Sequence, residues 1–453
     1  MRHWLRLLAL AGSIVGATAV RAEQVADPAA TCGRLVRTLS DKFRFSPAGP
    51  PTVRAEDLAS ALTSCEAASR NAPDDPHIMG LLGSAELFAG AASDTARLLN
   101  AAAAQGDARA QTALAMMHQS GLGGVAPDAA EAVRLDRLAA AQGFAPAQND
   151  LGFMYGHGLG GLPKDGGEAA RLFRLAADQG YGWGLVNLGD MYLRGLDGVT
   201  KDEAEAARLF ARAAQQGMRE GQYNLGFMHE AGLGGLPRDM TEALRLYRLS
   251  AEQGYPGAQA ALGEAYSNGN GVARDDAEAL HWLQLGADQG NRRALTALGL
   301  MRRAGRGGLP ADAAEAARLY ALAAEQGDSH AEYNLATMYL QGAGGLPRDE
   351  TRALDLFRES AEQDVPAAQN ALGVFYLNGR GGLSRDDAEA ARLFRLAAEG
   401  GSPEAEYNLA LLYEHGRGGL PRDEAAAVSW LQQSARAGYA QAQEKLSALG
   451  RTW

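Results

Sequence analysis

The sequence predicts an all-α fold, a right-handed α/α superhelical solenoid of about nine to ten helix-turn-helix repeats. Three observations carry this. Alanine dominates the 453 residues while aromatics are 7% and Val and Ile are scarce, a composition that favours helices over strands. There are 57 glycines, and one glycine recurs at Gly106, Gly143, Gly180, Gly217, Gly254, Gly290, Gly327, Gly401 and Gly438, in steps of 37 residues with one of 36. The gap in the series falls at Asp364, a residue type that tolerates a left-handed backbone better than most.

The unit Arg219 to Tyr255 shows the pattern. Leu225, Met228 and His229 follow Gln222 at helical spacing, Gly226 permits close approach of a second helix, and Gly232, Gly234 and Gly235 end the first helix. Asp239 followed by Glu242 reads as a capping box opening the second helix, and seven of nine units keep that pair; those at Asp349 and Asp423 keep only the cap. Ala243, Leu246, Tyr247 and Ala251 then share one face. Such a unit cannot bury its apolar face alone, so stacking of neighbours is required.

The chain divides accordingly. Residues 1–22 read as an export signal: Arg2 and Arg6 precede an apolar stretch from Leu7 to Val20, and Val20-Arg21-Ala22 is a small-residue cleavage site. A membrane anchor is the competing reading, but Gly12, Ser13, Gly16 and Thr18 interrupt a stretch shorter than the roughly 20 residues a spanning helix needs. Residues 23–76 read as an N-terminal helical hairpin, 77–107 as a degenerate first repeat, 108–439 as nine repeats and 440–453 as a capping helix. The two cysteines, Cys32 and Cys65, fit one disulfide in an oxidising compartment, stapling the hairpin; two buried thiols or a metal site are the alternatives.

Loss of residues 1–22 would remove three arginines and no acid, moving the net charge from -11 to -14. A protein so acidic should repel nucleic acid and anionic lipid.

The pattern A-x-x-x-L-G-x-M-Y-x-x-G-x-G-G-L-P-R-D-x-x-E-A-x-x-L-(F/Y)-x-x-A-A-x-x-G resembles the Sel1-like repeat, a relative of the tetratricopeptide repeat, over about residues 108 to 450. The resemblance implies an α/α solenoid serving as adaptor or scaffold for other proteins, with bacterial members often acting in secretion, envelope or host-contact settings. Cysteine-rich members with a disulfide in every repeat are linked to β-lactam or cell-wall binding, but this chain lacks those cysteines.

Catalytic signatures are missing. The glycine clusters such as Gly156 to Gly161 lie between helices, with neither a preceding strand nor a following Lys-Ser/Thr pair, so they are not phosphate loops. The eight histidines are not clustered, His118 and His229 sharing one repeat position and His157 and His415 another, and no H-E-x-x-H, C-x-x-C, G-x-S-x-G or S-x-x-K occurs. The expectation is a protein that is not an enzyme, with no cofactor and no metal.

Recognition residues are sought where copies differ. With Arg219 as position one, positions 2, 5, 9 and 12 form one helical stripe, placed by analogy with other solenoids on the concave face. The candidate partner-binding residues are Phe153, Trp183, Asp190, Glu220, Tyr223, Phe227, Arg293, Arg303, Tyr333, Asn370 and Tyr407. Two alternatives stand beside this: Tyr223, Tyr333 and Tyr407 could pack against the next repeat, and Asn187, Asn224, Asn334 and Asn408 at position 6 could tie adjacent helices together. The leading expectation is a periplasmic or secreted scaffold that binds a protein or peptide along the stripe. A cell-wall binder of muropeptides or β-lactams, with at most weak hydrolase activity, is the rival reading, and a structural spacer the third.

Overall fold

The computed structural model describes residues 27–43, 55–89, 95–196 and 198–453; the export-signal reading of residues 1–22 lies outside them. Every regular element among them is helical. Two compact units emerge, Met1–Tyr255 and Pro256–Trp453.

The first unit opens with α1 (Pro28–Phe43), α2 (Ala55–Asn71), α3 (Pro76–Ala89) and α4 (Thr95–Ala104). Four helical pairs follow: α5 (Ala108–Ser120) with α6 (Ala129–Ala141), α7 (Ala145–His157) with α8 (Gly166–Asp178), α9 (Gly182–Arg194) with α10 (Glu203–Gln215), and α11 (Arg219–Ala231) with α12 (Met240–Glu252). The second unit holds five: α13 (Pro256–Asn268) with α14 (Asp276–Asp288), α15 (Arg292–Ala304) with α16 (Ala313–Ala324), α17 (Ser329–Gln341) with α18 (Glu350–Glu362), α19 (Pro366–Asn378) with α20 (Asp387–Glu399), and α21 (Pro403–His415) with α22 (Glu424–Arg436). The last helix, α23 (Ala440–Ala448), packs on α22.

Chain chemistry sets these boundaries. All nine second helices are capped by an aspartate, from Asp128 to Asp423, whose side chain accepts from backbone N–H groups of the first turn. The capping box forms only by half. The cap's own N–H donates to a first-helix carbonyl, as Asp239 N does to His229 O at 2.9 Å, so the glutamate three residues on is free to turn outward. Glu242 takes Arg245 in a bidentate ion pair instead, and Glu131, Glu168, Glu315 and Glu389 do the same with Arg134, Arg171, Arg318 and Arg392. Asp364, where the glycine series breaks, adopts the left-handed backbone at φ 59°.

Packing within a repeat depends on a notch. A Cβ on Gly226 would sit 2.9 Å from Tyr247 Cε1, so only glycine lets the tyrosine ring of α12 lie against the α11 backbone. Phe173, Phe210, Tyr320 and Phe394 fill the same notch beside Gly152, Gly189, Gly299 and Gly373. Two of these rings carry hydroxyls with different fates. Tyr247 Oη donates to Glu230 Oε2 at 2.5 Å, whereas the buried Tyr320 Oη finds no hydrogen-bond partner. Tyr247→Phe should therefore destabilise its unit by about 1.5–3 kcal/mol, the worth of a hydrogen bond to a charged group, while Tyr320→Phe should be neutral or gain about 1 kcal/mol. Urea unfolding of the two variants, followed by local hydrogen exchange, checks the contrast.

At the N-terminal end, Cys32 on α1 and Cys65 on α2 form the disulfide, with Cα atoms 4.8 Å apart and both side chains fully buried. Val36, Ala61, Ile78, Leu81 and Phe88 surround the bridge, so α1, α2 and α3 share one core.

Candidate interaction surface

Positions 2 and 5 of the stripe are largely consumed by packing. Trp183 is only 5% exposed. Glu220 is buried with Arg219, their side chains paired at 2.9 Å, and the Arg219 guanidinium lies over the Tyr255 ring. Tyr223 is flanked by Tyr247 and Tyr255 at centroid distances of 5.5 and 5.0 Å, Tyr333 by Phe357 at 5.8 Å, and Tyr407 by Tyr439 at 5.4 Å. These tyrosines do pack between helices. Asn370 Oδ1 accepts from Asn408 Nδ2, and Asn149 Oδ1 from Asn187 Nδ2, each at 2.9 Å, so position 6 joins consecutive first helices there. Asn334 turns back onto His330 O instead.

Positions 9 and 12 retain open surface. Phe227 is 40% exposed on α11. Phe153 is half-buried, its ring stacked on His157 at 4.1 Å, and Asp190 holds Arg194 at 2.8 Å. In the second unit Leu300 is 45% exposed and Arg303 is exposed one turn further along α15. Arg293, at position 2, also lies open and pairs with Glu264 at 2.6 Å. The two units thus present different chemistry on equivalent helices.

Two repeated polar devices went unread in the sequence. The first is a glutamine ladder. In five of the nine repeats the glutamine closing the second helix donates to the position-4 side chain of the same repeat: Gln142 to Gln111, Gln179 to Gln148, Gln253 to Gln222, Gln289 to Gln259 and Gln363 to Glu332, at 2.7–3.0 Å. Position-4 glutamines also donate to the carbonyl eight residues earlier, as Gln111 does to Ala103 O, Gln148 to Ala140 O and Gln369 to Ala361 O. The recurring glutamine before the turn glycine was the available signal. The second device links neighbouring repeats of the second unit: Arg306 grips Asp276, Arg380 grips Glu350 and Arg417 grips Asp387, each 30 residues apart. The signal there is co-variation, because the first unit has Leu122, Leu159, Leu196 and Leu233 at the position of these arginines. The paired guanidiniums hold Asp276, Glu350 and Asp387 well below the ordinary carboxylate range.

Glutamates in the ladder behave oppositely. Glu332 and Glu406 replace the donor amide by a carboxylate, both are buried, and burial pushes both above their ordinary value. Around Glu332, Glu359 of α18 and Asp328 at its own helix cap add to the rise and Arg292 of α15 opposes it. Ala437 stands where Gln363 serves Glu332, and Glu406 Oε2 has no hydrogen-bond partner. A native value above the unfolded one means that the native state binds the proton more tightly. The stability linked to these protons is full below the ordinary glutamate range and is lost as pH rises through the raised native values. The arginine-held carboxylates act with the other sign, and their contribution is lost on acidification. Glu332→Gln/Glu406→Gln should accordingly flatten the loss of second-unit stability above about pH 4.5, the ordinary glutamate value. Hydrogen exchange of α17, α18, α21 and α22 across pH 4 to 8 measures it.

No group of three His, Cys, Asp or Glu able to hold a metal ion occurs among the described residues, and no helix among them is long and apolar enough to cross a membrane. The site is a set of packed helix faces with side chains suited to contact.

The Sel1 repeat family matches at residues 108–144, 145–181, 184–218, 219–255, 256–291, 292–328, 329–365, 366–402 and 403–439, so the chain belongs to that family. It is similar to c5321, described as a protective antigen present in uropathogenic Escherichia coli strains and displaying an SLR fold. Identity is 30% and the TM-score 0.59, covering 91% of this chain and 86% of that one. A Sel1 repeat protein from Oxalobacter formigenes is 33% identical over 70% of this chain and 89% of its own, with a TM-score of 0.44. Comparison with curated protein sequences finds no match. The Sel1 repeat fold generally provides scaffolds for protein interactions and is typically non-enzymatic. The disulfide is compatible with a location outside the cytoplasm.

Proposed function

We propose that this chain is an exported protein–protein interaction scaffold, periplasmic or secreted, that binds a protein or peptide partner along the face formed by its first helices. The observation that carries the reading is the variation at positions 9 and 12. The scaffold positions repeat almost unchanged, while these two change from Phe227 and Glu230 to Leu300 and Arg303 and leave large apolar side chains in solvent. Open aromatic and aliphatic anchors on rigid helices are what a recognition surface needs. An irregular pattern across copies of one chain fits an irregular partner. Export is supported by the arginine-led apolar N-terminus and by the Cys32–Cys65 bridge, which belongs to an oxidising compartment.

The test is affinity capture from envelope and secreted fractions with the native chain and a Phe227→Glu/Leu300→Glu variant in parallel. Both changes lie on open surface and should leave the melting curve unchanged. A protein retained by the first and lost by the second supports the scaffold; equal retention places the contact off these helices and overturns the proposed face. Mass spectrometry of the protein recovered from those fractions should begin at Glu23, and a retained residue 1 would overturn export by signal cleavage.

A further inference from the structure

We infer that the first-helix face of the second unit takes an extended partner segment with an apolar run and a carboxylate at the end that meets Arg303. This rests on the scaffold reading above and names the chemistry of its partner. Apolar side chains recur along the face, interrupted by Thr337. Leu300 on α15, Leu340 on α17, Val374 and Leu377 on α19 and Leu411 on α21 occupy positions 9 and 12 of four consecutive repeats, and each keeps accessible surface. Asn408 of α21 reaches Asn370 of α19 at 2.9 Å, so consecutive first helices lie side by side there, and an extended chain rising about 3.3 Å per residue crosses them within a few residues. Side chains of such a strand point alternately to either side, so every second residue, about 6.6 Å apart, faces the track.

Charge decides the end. Positions 9 and 12 of this unit carry three charged residues, Glu264, Arg303 and Glu414. Both carboxylates are already paired, Glu264 with Arg293 at 2.6 Å and Glu414 with Lys445 at 2.8 Å. Arg303 has no acidic partner among the described residues, although its neighbours Arg306 and Arg292 are held by Asp276 and by the Gln326 and Gly327 carbonyls. An exposed guanidinium one turn from a 45% exposed leucine is a fitted receptor for a carboxylate beside an apolar residue, since the planar fork binds a carboxylate through two parallel hydrogen bonds. A basic segment would meet repulsion at Arg303. An acidic one faces a chain whose net charge is -11, which favours placing its carboxylate at Arg303.

A random twelve-residue peptide library displayed on phage and panned on the full chain tests this. The expected enrichment is an Asp or Glu flanking an apolar run, with binding weakened at least tenfold by Arg303→Glu, thermal melting unchanged, and by Leu340→Glu, measured at a temperature at which that core-packed variant is folded. Panning on Arg303→Glu should then select Lys or Arg in place of the acid. Enriched peptides that ignore both substitutions but are lost with Phe227→Glu would overturn this inference and leave the scaffold reading standing. No enrichment on any variant would count against both. Self-association abolished by Leu340→Glu would assign the track to a second copy of the chain and overturn the inference as well.

Discussion

Gly344→Val is expected to unfold the middle of the second unit locally, at a cost of roughly 3–4 kcal/mol, combining a left-handed backbone penalty with overpacking. Gly344 sits in the turn after α17 at φ 65°, and an added Cβ would meet Ala313 O at 2.4 Å and Met338 Cε at 2.6 Å. The carbonyl belongs to the preceding repeat, so relief requires two repeats to separate, which a solenoid can do only by giving up the interface that stabilises both. The adjacent Gly345 provides the control. Its φ is 77°, equally unfavourable for a side chain, yet a Cβ there meets nothing within 4 Å. Gly345→Ala should cost only about 1 kcal/mol, the backbone part alone. Amide exchange in α16 and α17 should accelerate at least a hundredfold in Gly344→Val and only a few-fold in Gly345→Ala. Similar rates in the two variants would mean that strain at the turn, and not contact between repeats, sets the demand for glycine.

Much of this was legible. The 37-residue glycine step, the aspartate before each second helix and the apolar spacing within it located nine helical pairs, because turns and caps are decided by the residues that form them. Asp364 was readable for the same reason. The interaction surface was less so. Periodicity puts Trp183, Tyr223 and Phe227 on one side of their helices, but whether that side is covered depends on the neighbouring repeat. Tyr255 and Tyr247 cover Tyr223, and nothing comparable covers Phe227. The capping-box glutamates were misread in detail because a first-helix carbonyl, supplied by tertiary packing, already satisfies the cap N–H. The glutamine ladder and the arginine bridges join residues about 30 apart. They show in the sequence only as paired changes between repeats, such as Arg306 with Asp276 against Leu159 with Ala129.

Cys32→Ser/Cys65→Ser is expected to loosen the N-terminal end and leave the far repeats untouched. The bridge closes a loop of sequence separation 33. The chain-entropy relation puts such closure at roughly 3–4 kcal/mol, which corresponds to a rise of two to three decades in the opening equilibrium. Two serines at fully buried positions would add hydroxyls to a core of Val36, Ala61, Leu81 and Phe88, which pushes in the same direction. Since each repeat touches only its neighbours, the loss should decay along the stack. Exchange should rise strongly in Pro28–Phe43 and Ala55–Asn71, weakly in Ala108–Ser120, and not at all in Pro366–Asn378. Cys32→Ala/Cys65→Ala separates the cross-link from the hydroxyls: if alanine restores native exchange, the core's polarity governs the cap, and if it does not, the covalent closure does. A change that reached α19 would contradict nearest-neighbour stability altogether, since each repeat draws its stability from itself and its immediate neighbours.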